Sequence, residues 1–202
     1  MSLRDKTEQA PKTGCARRDQ VLDAAEKCFC EQGFHGTSIA TISKSAGMSA
    51  GHIYHYFENK ETIIAAIVER EVSSVLKEMN ELQNQPDLKQ ALMDCVTPKV
   101  YAHLDTKRAA LMVEVLAESV RNERIAKVFR EKDEASIAKL HELLQQVRGE
   151  LPPLTESELN GRVEVMAALF NGLRLRSLCN PQLDREALLA ELRPVLERLI
   201  AG

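Results

Sequence analysis

Apolar residues recur every three or four positions along most of this chain, which is the spacing of helices that bury one face. The pattern therefore predicts an all-α fold. Proline, glycine and N-capping residues divide it into successive segments. The predicted helices cover residues 17–33, 37–46, 49–57, 59 to about 86, 87–104, 106–120, 125–148, 155–178, and 184 to near the end of the chain.

The segment from residue 37 to residue 60 has the boundary residues of two short helices joined by a tight turn. Thr37 is expected to cap the first helix through its hydroxyl group, and Ser49 to cap the second. Gly47 lies where the chain needs a left-handed residue to leave the first helix. Met48 and Ile53 have the spacing of a hydrophobic staple. The segment predicts a helix-turn-helix at about 37–57, although a helical hairpin inside a core has the same spacing.

The second of these helices has an unusual outward face. If Ile53 points inward, a step of 100° per residue places Gly51 and His55 nearly opposite, with His52 and Tyr54 on the flanks. A glycine, two imidazoles and a phenol suit insertion into a groove where polar atoms are met at close range. This face predicts a nucleic-acid reading helix.

The block from residue 17 to about residue 72 resembles the DNA-binding domain of the tetracycline-repressor (TetR) family of bacterial transcription regulators. The run G-H-I-Y-H-Y-F-E-N-K-E is close to the most distinctive signature of that family. Two departures are mild: His52 stands where Thr or Ser is usual, and Ser43 where Ala is usual. The matching residues are Ala25, Phe29, Gly33, Phe34, Thr37, Ile42, Ala46, Gly47, Ser49, Gly51, Ile53, Tyr54, Tyr56, Phe57, Lys60 and Glu61.

The resemblance implies a set of DNA contacts. Cap hydroxyls, a tyrosine and the lysine at the start of the fourth helix would contact phosphates, and the residues around Gly51 would lie deepest in the major groove. His52 and His55 are candidates for base-edge contacts, or they face the DNA without reading it. Tyr56 is compatible with packing as well as with phosphate contact. The DNA-binding candidates are Thr37, Ser38, Ser49, Ala50, Gly51, His52, Tyr54, His55, Tyr56 and Lys60.

The expected organisation is a disordered arm (1–16), the helix-turn-helix domain (17–72) and a helical domain for effector binding and dimerisation (73–202), joined by a long fourth helix. The family resemblance implies a four-helix dimer interface and a pocket for a small molecule. Plain core packing explains the same apolar positions. The pocket candidates are Tyr101, Leu111, Met112, Val115, Phe129, Met166, Phe170, Asn171 and Arg174. The dimer-interface candidates are Leu169, Leu173, Leu188, Leu192, Val195 and Leu199.

The charge of the chain does not mark it as a strong polyanion binder. The net charge of the 202 residues is −3; residues 1–60 carry eight Lys/Arg against seven Asp/Glu, and the remainder carry nineteen against twenty-three. Few phosphates would be neutralised by one subunit, so two subunits on one duplex are expected. Five cysteines, none at the spacing of a zinc site, predict free thiols, with a redox sensor as the alternative.

No nucleophile elbow, phosphate-binding loop or zinc-protease motif occurs in the sequence, so an enzyme is not expected. Neither a metal nor a cofactor is predicted, and no apolar run has membrane-spanning length. A helical scaffold without DNA binding remains an alternative. The favoured hypothesis is a cytoplasmic homodimeric regulator that binds palindromic double-stranded operator DNA and is released by a small-molecule effector, most simply as a repressor.

Overall fold

A computed structural model describes residues 10–149 and 151–201, with side chains from residue 14 onward except that of residue 201. Throughout this part the regular structure is α-helical, as the hydrophobic pattern predicted. The helices are α1 (Ala10–Gly36), α2 (Ile39–Ala46), α3 (Ala50–Tyr56), α4 (Lys60–Gln83), α5 (Leu88–His103), α6 (Thr106–Ser119), α7 (Glu123–Arg148), α8 (Glu156–Cys179) and α9 (Arg185–Ala201).

The first helix begins earlier than the sequence indicated. An arm was expected up to residue 16, but α1 begins at Ala10, so that expectation is wrong for residues 10–16. Residues 1–9 lie outside the described part. Gly33, the predicted stop, has φ 72° and interrupts the helical backbone, and a last turn then continues to Gly36. The glycine therefore bends the end of α1 rather than ending it.

Local capping chemistry explains the other helix starts. Asn59 and Thr62 form a reciprocal capping box at α4, and Thr155 forms another with Glu158 at α8. Asp87 accepts a hydrogen bond from the Gln90 backbone N–H at the start of α5. Pro98 lies within α5, and Pro194 lies within α9. Short-range hydrogen bonds of this kind depend only on nearby residues, which is why the sequence locates them.

The helices enclose two apolar cores. The first joins α1, α2 and α3 to the first half of α4, and it includes Val115 of α6 and Ile125 of α7. The second lies among α5, α7, α8 and α9. Helix α4 spans both, since its first turns are buried in one and Met79 and Leu82 pack against the other. Its most extensive packing is along α7. The predicted long connecting helix is confirmed.

None of the helices in the described ranges is both long enough and apolar enough to cross a membrane.

Candidate nucleic-acid interface and internal cavity

Helix α3 is oriented as its sequence predicted. Ile53 is fully buried and Phe57 nearly so, which fixes the inward side of the helix. Gly51, His52 and His55 are exposed, and Tyr54 is 56% exposed. A Cβ built on Gly51 meets nothing within 4 Å, so the surface above this glycine is open. The outward face of α3 is therefore accessible from solvent.

The two imidazoles of α3 pack against one aromatic ring. His52 stacks on Tyr56 with ring centroids 5.7 Å apart, and His55 meets the same ring edge-on at 5.1 Å. Tyr56 is half-buried and packs against the first core, which is one of the two roles that its sequence position allowed. The tyrosine thus restricts the orientations of both histidines, whose contacts with bases stay a prediction.

The turn before α3 is held by hydrogen bonds that the sequence analysis only partly anticipated. Gly47 has φ 63°, and its N–H donates to carbonyl oxygens of the preceding turn, which confirms its role as a left-handed cap. The Ser43 hydroxyl donates to the Met48 carbonyl oxygen. Gln20 of α1 donates from Nε2 to the Ala46 carbonyl oxygen at 2.8 Å. The sequence did not indicate that Ser43 and Gln20 stabilise this turn. The Ser43 side chain faces inward, and the Gln20 contact joins positions 26 residues apart.

The predicted role of the Thr37 side chain is wrong. Ser38 caps α2, since its Oγ accepts from the Thr41 N–H at 3.0 Å. Thr37 is only 1% exposed, and its hydroxyl donates inward to the carbonyl oxygens of Gly33 at 2.8 Å and Cys28 at 3.1 Å. That hydroxyl group is used to close the end of α1, so it is not available to a phosphate. Ser38 is exposed and Ser49 caps α3 as predicted.

Lys60 has an internal role that its sequence position did not reveal. Its ammonium donates to the carbonyl oxygens of Phe34 at 2.8 Å and Thr37 at 2.7 Å, and it lies 4.7 Å from the centroid of the Phe34 ring. An ammonium has three N–H donors, so one remains for a phosphate. The lysine ties the start of α4 to the corner between α1 and α2.

A cavity of about 550 Å³ lies between the two cores, bounded by α4 to α8 with contributions from α1 and α9. Eight of the nine predicted pocket residues line it: Leu111, Met112, Val115, Phe129, Met166, Phe170, Asn171 and Arg174. Tyr101 does not; it is exposed on α5, with the Arg185 guanidinium 5.4 Å from its ring centroid. That prediction is wrong because the helical phase of α5 turns position 101 away from the cavity.

Several polar residues in the cavity wall were not predicted. Arg70 of α4 forms ion pairs with Asp23 at 2.8 Å and Glu26 at 2.6 Å, both on α1. His103 of α5 lies 2.8 Å from the Lys99 carbonyl oxygen through Nδ1 and 3.4 Å from Arg174 through Nε2. Burial, followed by the charge of Arg174, lowers the pKa of His103 to about 4. The imidazole is therefore neutral near pH 7.

The predicted dimer-interface residues separate into three groups. Leu173 and Leu192 are buried in the second core, and Leu169, Leu188 and Leu199 pack partly against it, whereas Val195 is exposed. For Leu173 and Leu192 the prediction of an intersubunit surface is wrong, because their own subunit already covers them. Other apolar residues of α8 face outward and were missed: Val165, Leu175 and Leu178.

Comparison with known proteins identifies both halves of the chain. Residues 21–67 match the family model described as bacterial regulatory proteins of the tetR family. Residues 99–201 match the model of the BetI-type transcriptional repressor C-terminal domain. The chain belongs to the TetR family. Members of the TetR family are DNA-binding transcription regulators with small-molecule effectors rather than enzymes, so the expectation of a non-enzyme is confirmed.

Individual TetR-family relatives extend the match over most of the molecule. The HTH-type transcriptional regulator UidR of Escherichia coli is 28% identical over 148 residues, which cover 72% of this chain and 74% of UidR. The structure of Salmonella enterica GusR is 29% identical, with a TM-score of 0.74 over 98% of this chain and 99% of GusR. The Bacillus subtilis regulator FadR, solved with stearoyl-CoA, shares the fold at 20% identity, with a TM-score of 0.73 over 91% of this chain and 98% of FadR.

Proposed function

We propose that this protein is a sequence-specific repressor that binds a palindromic operator as a homodimer and leaves it when a small molecule fills the internal cavity. The observation that carries the DNA-binding part is the outward face of α3, where Gly51, His52, Tyr54 and His55 are exposed beside a fully buried Ile53. Because the operator lies on the chromosome, we place this activity in the cytoplasm.

The proposed contacts follow from where each side chain points. The start of α3 would enter the major groove, since Ala50 and Gly51 leave room for the helix to approach the bases. His52 and His55 would meet base edges, and the exposed hydroxyls of Ser38, Ser49 and Tyr54 would meet phosphates. Tyr56 would act through the two histidines that it supports, and Lys60 through its remaining donor.

A second subunit would cover the outward faces of α8 and α9. Val165 is 47% exposed and Leu175 is 53% exposed, and both lie on α8, while Val195 is exposed on α9. On α8, Val165 and Leu175 belong to a stripe whose members repeat at alternating intervals of four and three residues. The other members of the stripe are Gly161, Ala168 and Gly172. Such a stripe suits packing against a symmetry-related helix. The dimer would then present two copies of α3 to successive major grooves.

Helix α6 offers a physical route from the cavity to the reading domain. Leu111, Met112 and Val115 of α6 line the cavity. From the same helix, Glu114 accepts a hydrogen bond from the Phe34 N–H at 2.8 Å, and Glu118 lies 3.0 Å from His35. A ligand that displaces α6 therefore acts on the end of α1. It releases DNA only if it binds the displaced state more tightly.

The direct test is to select genomic fragments that the full-length protein retains and to measure operator affinity by gel shift. His55→Ala is expected to weaken the selected operator by about tenfold, equivalent to about 1.4 kcal/mol, and random DNA much less, because it removes a base contact. Lys60→Ala is expected to weaken both alike and also to lower the melting temperature, because two internal hydrogen bonds are lost.

Two outcomes would count against the proposal. Absence of any sequence-specific retention would remove the repressor function. An equal loss at operator and random sites for His55→Ala would remove base reading by that residue and leave the rest of the proposal standing.

A further inference from the structure

The charged groups of the cavity are unequally neutralised. Arg70 has two carboxylates within ion-pair distance, and Lys99 is paired with Glu78 at the edge of the cavity. Arg174, on α8, has no such partner among the described residues. Its guanidinium group lies 3.4 Å from Nε2 of His103. Arg70 is therefore balanced by carboxylates of the protein, whereas Arg174 is not. A third guanidinium of the cavity, that of Arg108 on α6, is exposed to solvent.

The surroundings of Arg174 make this imbalance costly. Its side chain is half-buried, and burial lowers the pKa of the guanidinium, while Glu71 of α4 acts in the opposite direction without forming an ion pair. The His103 imidazole is neutral and oriented to accept, since its Nδ1 side faces the Lys99 carbonyl oxygen. A partly desolvated cation beside a neutral acceptor keeps most of its desolvation penalty until an anion approaches it.

Apolar side chains supply much of the remaining cavity wall, together with polar residues such as Lys132, Asp133 and Ser136 of α7. Phe129 of α7 and Phe170 of α8 supply aromatic surface, and aliphatic side chains of α4, α5 and α6 complete the wall. Arg174 and His103 also line an adjoining groove between α4 and α5. Arg174 and His103 therefore lie where the cavity meets this groove, and much of the remaining lining is apolar. A volume of about 550 Å³ is in the range of pockets for small organic ligands.

The groups around Arg174 bear on which anion fits it. Carboxylates line the adjoining groove, and one of them, Glu71, is shared with the cavity. Arg108 of α6 also lines both the cavity and the groove, but it is exposed, so Arg174 is the more buried of the two guanidinium groups there. A carboxylate carries one charge and fits the planar guanidinium in a bidentate pair. The carboxylates of the groove are Glu71, Glu78, Glu81 and Asp94.

We propose that the effector is an amphipathic carboxylate, whose carboxylate pairs with Arg174 and whose apolar body fills the space beside Phe129 and Phe170. This inference rests on the proposed function of the cavity as the effector site. It adds the chemical class of the ligand, which neither the family nor the fold determines.

Matched probes test the charge requirement. Binding of decanoate, 1-decanol and decyltrimethylammonium to the full-length protein is measured by isothermal titration calorimetry, with 2-naphthoate and 2-naphthol as a rigid pair. We expect each carboxylate to bind at least about tenfold more tightly than its alcohol, since a partly buried ion pair is formed, and the ammonium to bind more weakly than either. If neither carboxylate exceeds its alcohol, whether by equal binding or by no binding, the proposal is overturned.

Variants assign the selectivity to one residue. Arg174→Gln is expected to remove the preference for carboxylates while leaving affinity for the alcohols within about twofold. Arg124→Gln is the matched control, because Arg124 is exposed on α7 and does not line the cavity. Retention of the full carboxylate preference by Arg174→Gln would overturn the proposal.

A ligand-free measurement tests the unpaired charge itself. Arg174→Met is expected to raise the melting temperature by about 2–4 °C, because it removes an uncompensated cation and retains similar volume. Arg70→Met leaves the carboxylates of Asp23 and Glu26 without their ion-pair partner, so it is expected to lower the melting temperature. A decrease for Arg174→Met as large as that for Arg70→Met would show that the protein already satisfies Arg174, and would overturn the proposal.

The same proteins separate this inference from the proposed function. If alcohols bind as well as carboxylates and still release operator DNA, the ligand class is wrong and the ligand-released repressor stands. If decanoate binds through Arg174 but operator affinity is unchanged, the charge assignment is supported and the proposed release mechanism fails.

Discussion

Gly47 and Gly51 lie four residues apart in the helix-turn-helix and have different structural reasons to be glycine. Gly47 has a left-handed backbone with φ 63°, which a side chain strains. Gly51 has helical geometry and open space above it. A side chain at residue 47 is therefore unfavourable for folding. A side chain at residue 51 is compatible with folding and would obstruct only the approach of α3 to the bases of DNA.

Replacing Gly51 by Leu is accordingly expected to weaken operator binding by roughly 100-fold or more, about 3 kcal/mol, because the side chain would occupy the space of the bases. The free energy of unfolding is expected to stay the same or rise by up to about 1 kcal/mol, since Leu favours the helix. Gly47→Leu, the control, is expected to lower it by about 1–2 kcal/mol. Operator binding by Gly51→Leu at the wild-type level would mean that α3 does not enter the groove.

His103 gives the cavity a defined pH dependence. Its pKa is lowered from 6.5 to about 4 by burial and by Arg174, with Lys99 of its own helix and Arg108 of α6 adding to the effect. The unfolded chain therefore binds more protons than the folded protein between these values. The free energy of unfolding is therefore not reduced by His103 above about pH 6.5, and it decreases as the pH falls from 6.5 towards 4.

His103→Gln is expected to flatten this dependence. The wild-type melting temperature should fall more steeply than that of the variant between pH 6.5 and 4, and the two curves should run parallel above pH 7. Thermal unfolding monitored by circular dichroism across this range makes the measurement. Parallel curves over the whole range would mean that His103 keeps an ordinary pKa in the folded protein.

At the scale of elements, two faces of α6 make contacts that bear on function. One lines the cavity and the other holds the end of α1 through Glu114 and Glu118. Glu114 also lies 3.4 Å from the position that a Cβ on Gly33 would occupy, so the left-handed bend in α1 and the position of α6 are coupled. Neither contact is local, since 80 residues separate Glu114 from Phe34.

Glu114→Ala is expected to reduce the response to effector without changing effector binding, because the side chain faces α1 and not the cavity. The drop in operator affinity caused by saturating effector, for which couplings of about 5- to 150-fold are typical, should shrink several-fold. Fluorescence anisotropy of labelled operator, with and without effector, measures this coupling. Val113→Ala, at an exposed position of the same helix, is the control; an undiminished response in Glu114→Ala would mean that the coupling takes another route.

At the scale of the whole molecule, the outward side of α8 and α9 decides the assembly. Leu173 is buried and Leu175 is 53% exposed, although they are two residues apart on one helix. The proposed interface therefore depends on Leu175 and Val165, and Leu173 belongs to the core of its own subunit.

Leu175→Glu is expected to weaken the dimer by about 2 kcal/mol or more, roughly 30-fold in the dissociation constant, because it places a charge in the centre of an apolar interface. Size-exclusion chromatography with light scattering should show monomers at micromolar concentration, with operator binding reduced in parallel. Val120→Glu, at a highly exposed position after α6, is expected to leave the mass unchanged. A dimer of unchanged stability in Leu175→Glu would place the interface elsewhere.

The sequence by itself determined the features that arise within a few residues of chain. Helical periodicity, capping boxes and the turn at Gly47 follow from local hydrogen bonds and side-chain spacing, and the outward face of α3 follows from helix geometry once Ile53 is placed inside. The same short-range pattern was sufficient to indicate the family. Of the pocket residues expected from that resemblance, six apolar and two polar ones line the cavity.

Only the tertiary structure decided which polar groups meet and which apolar faces stay uncovered. The Thr37 hydroxyl and the Lys60 ammonium are used inside the protein because α1, α2 and α4 meet at one corner. Arg174 reaches His103 across 71 residues and forms no ion pair with the carboxylates of the described residues. Such pairings depend on how distant helices dock, and periodicity along a single helix contains no information about them.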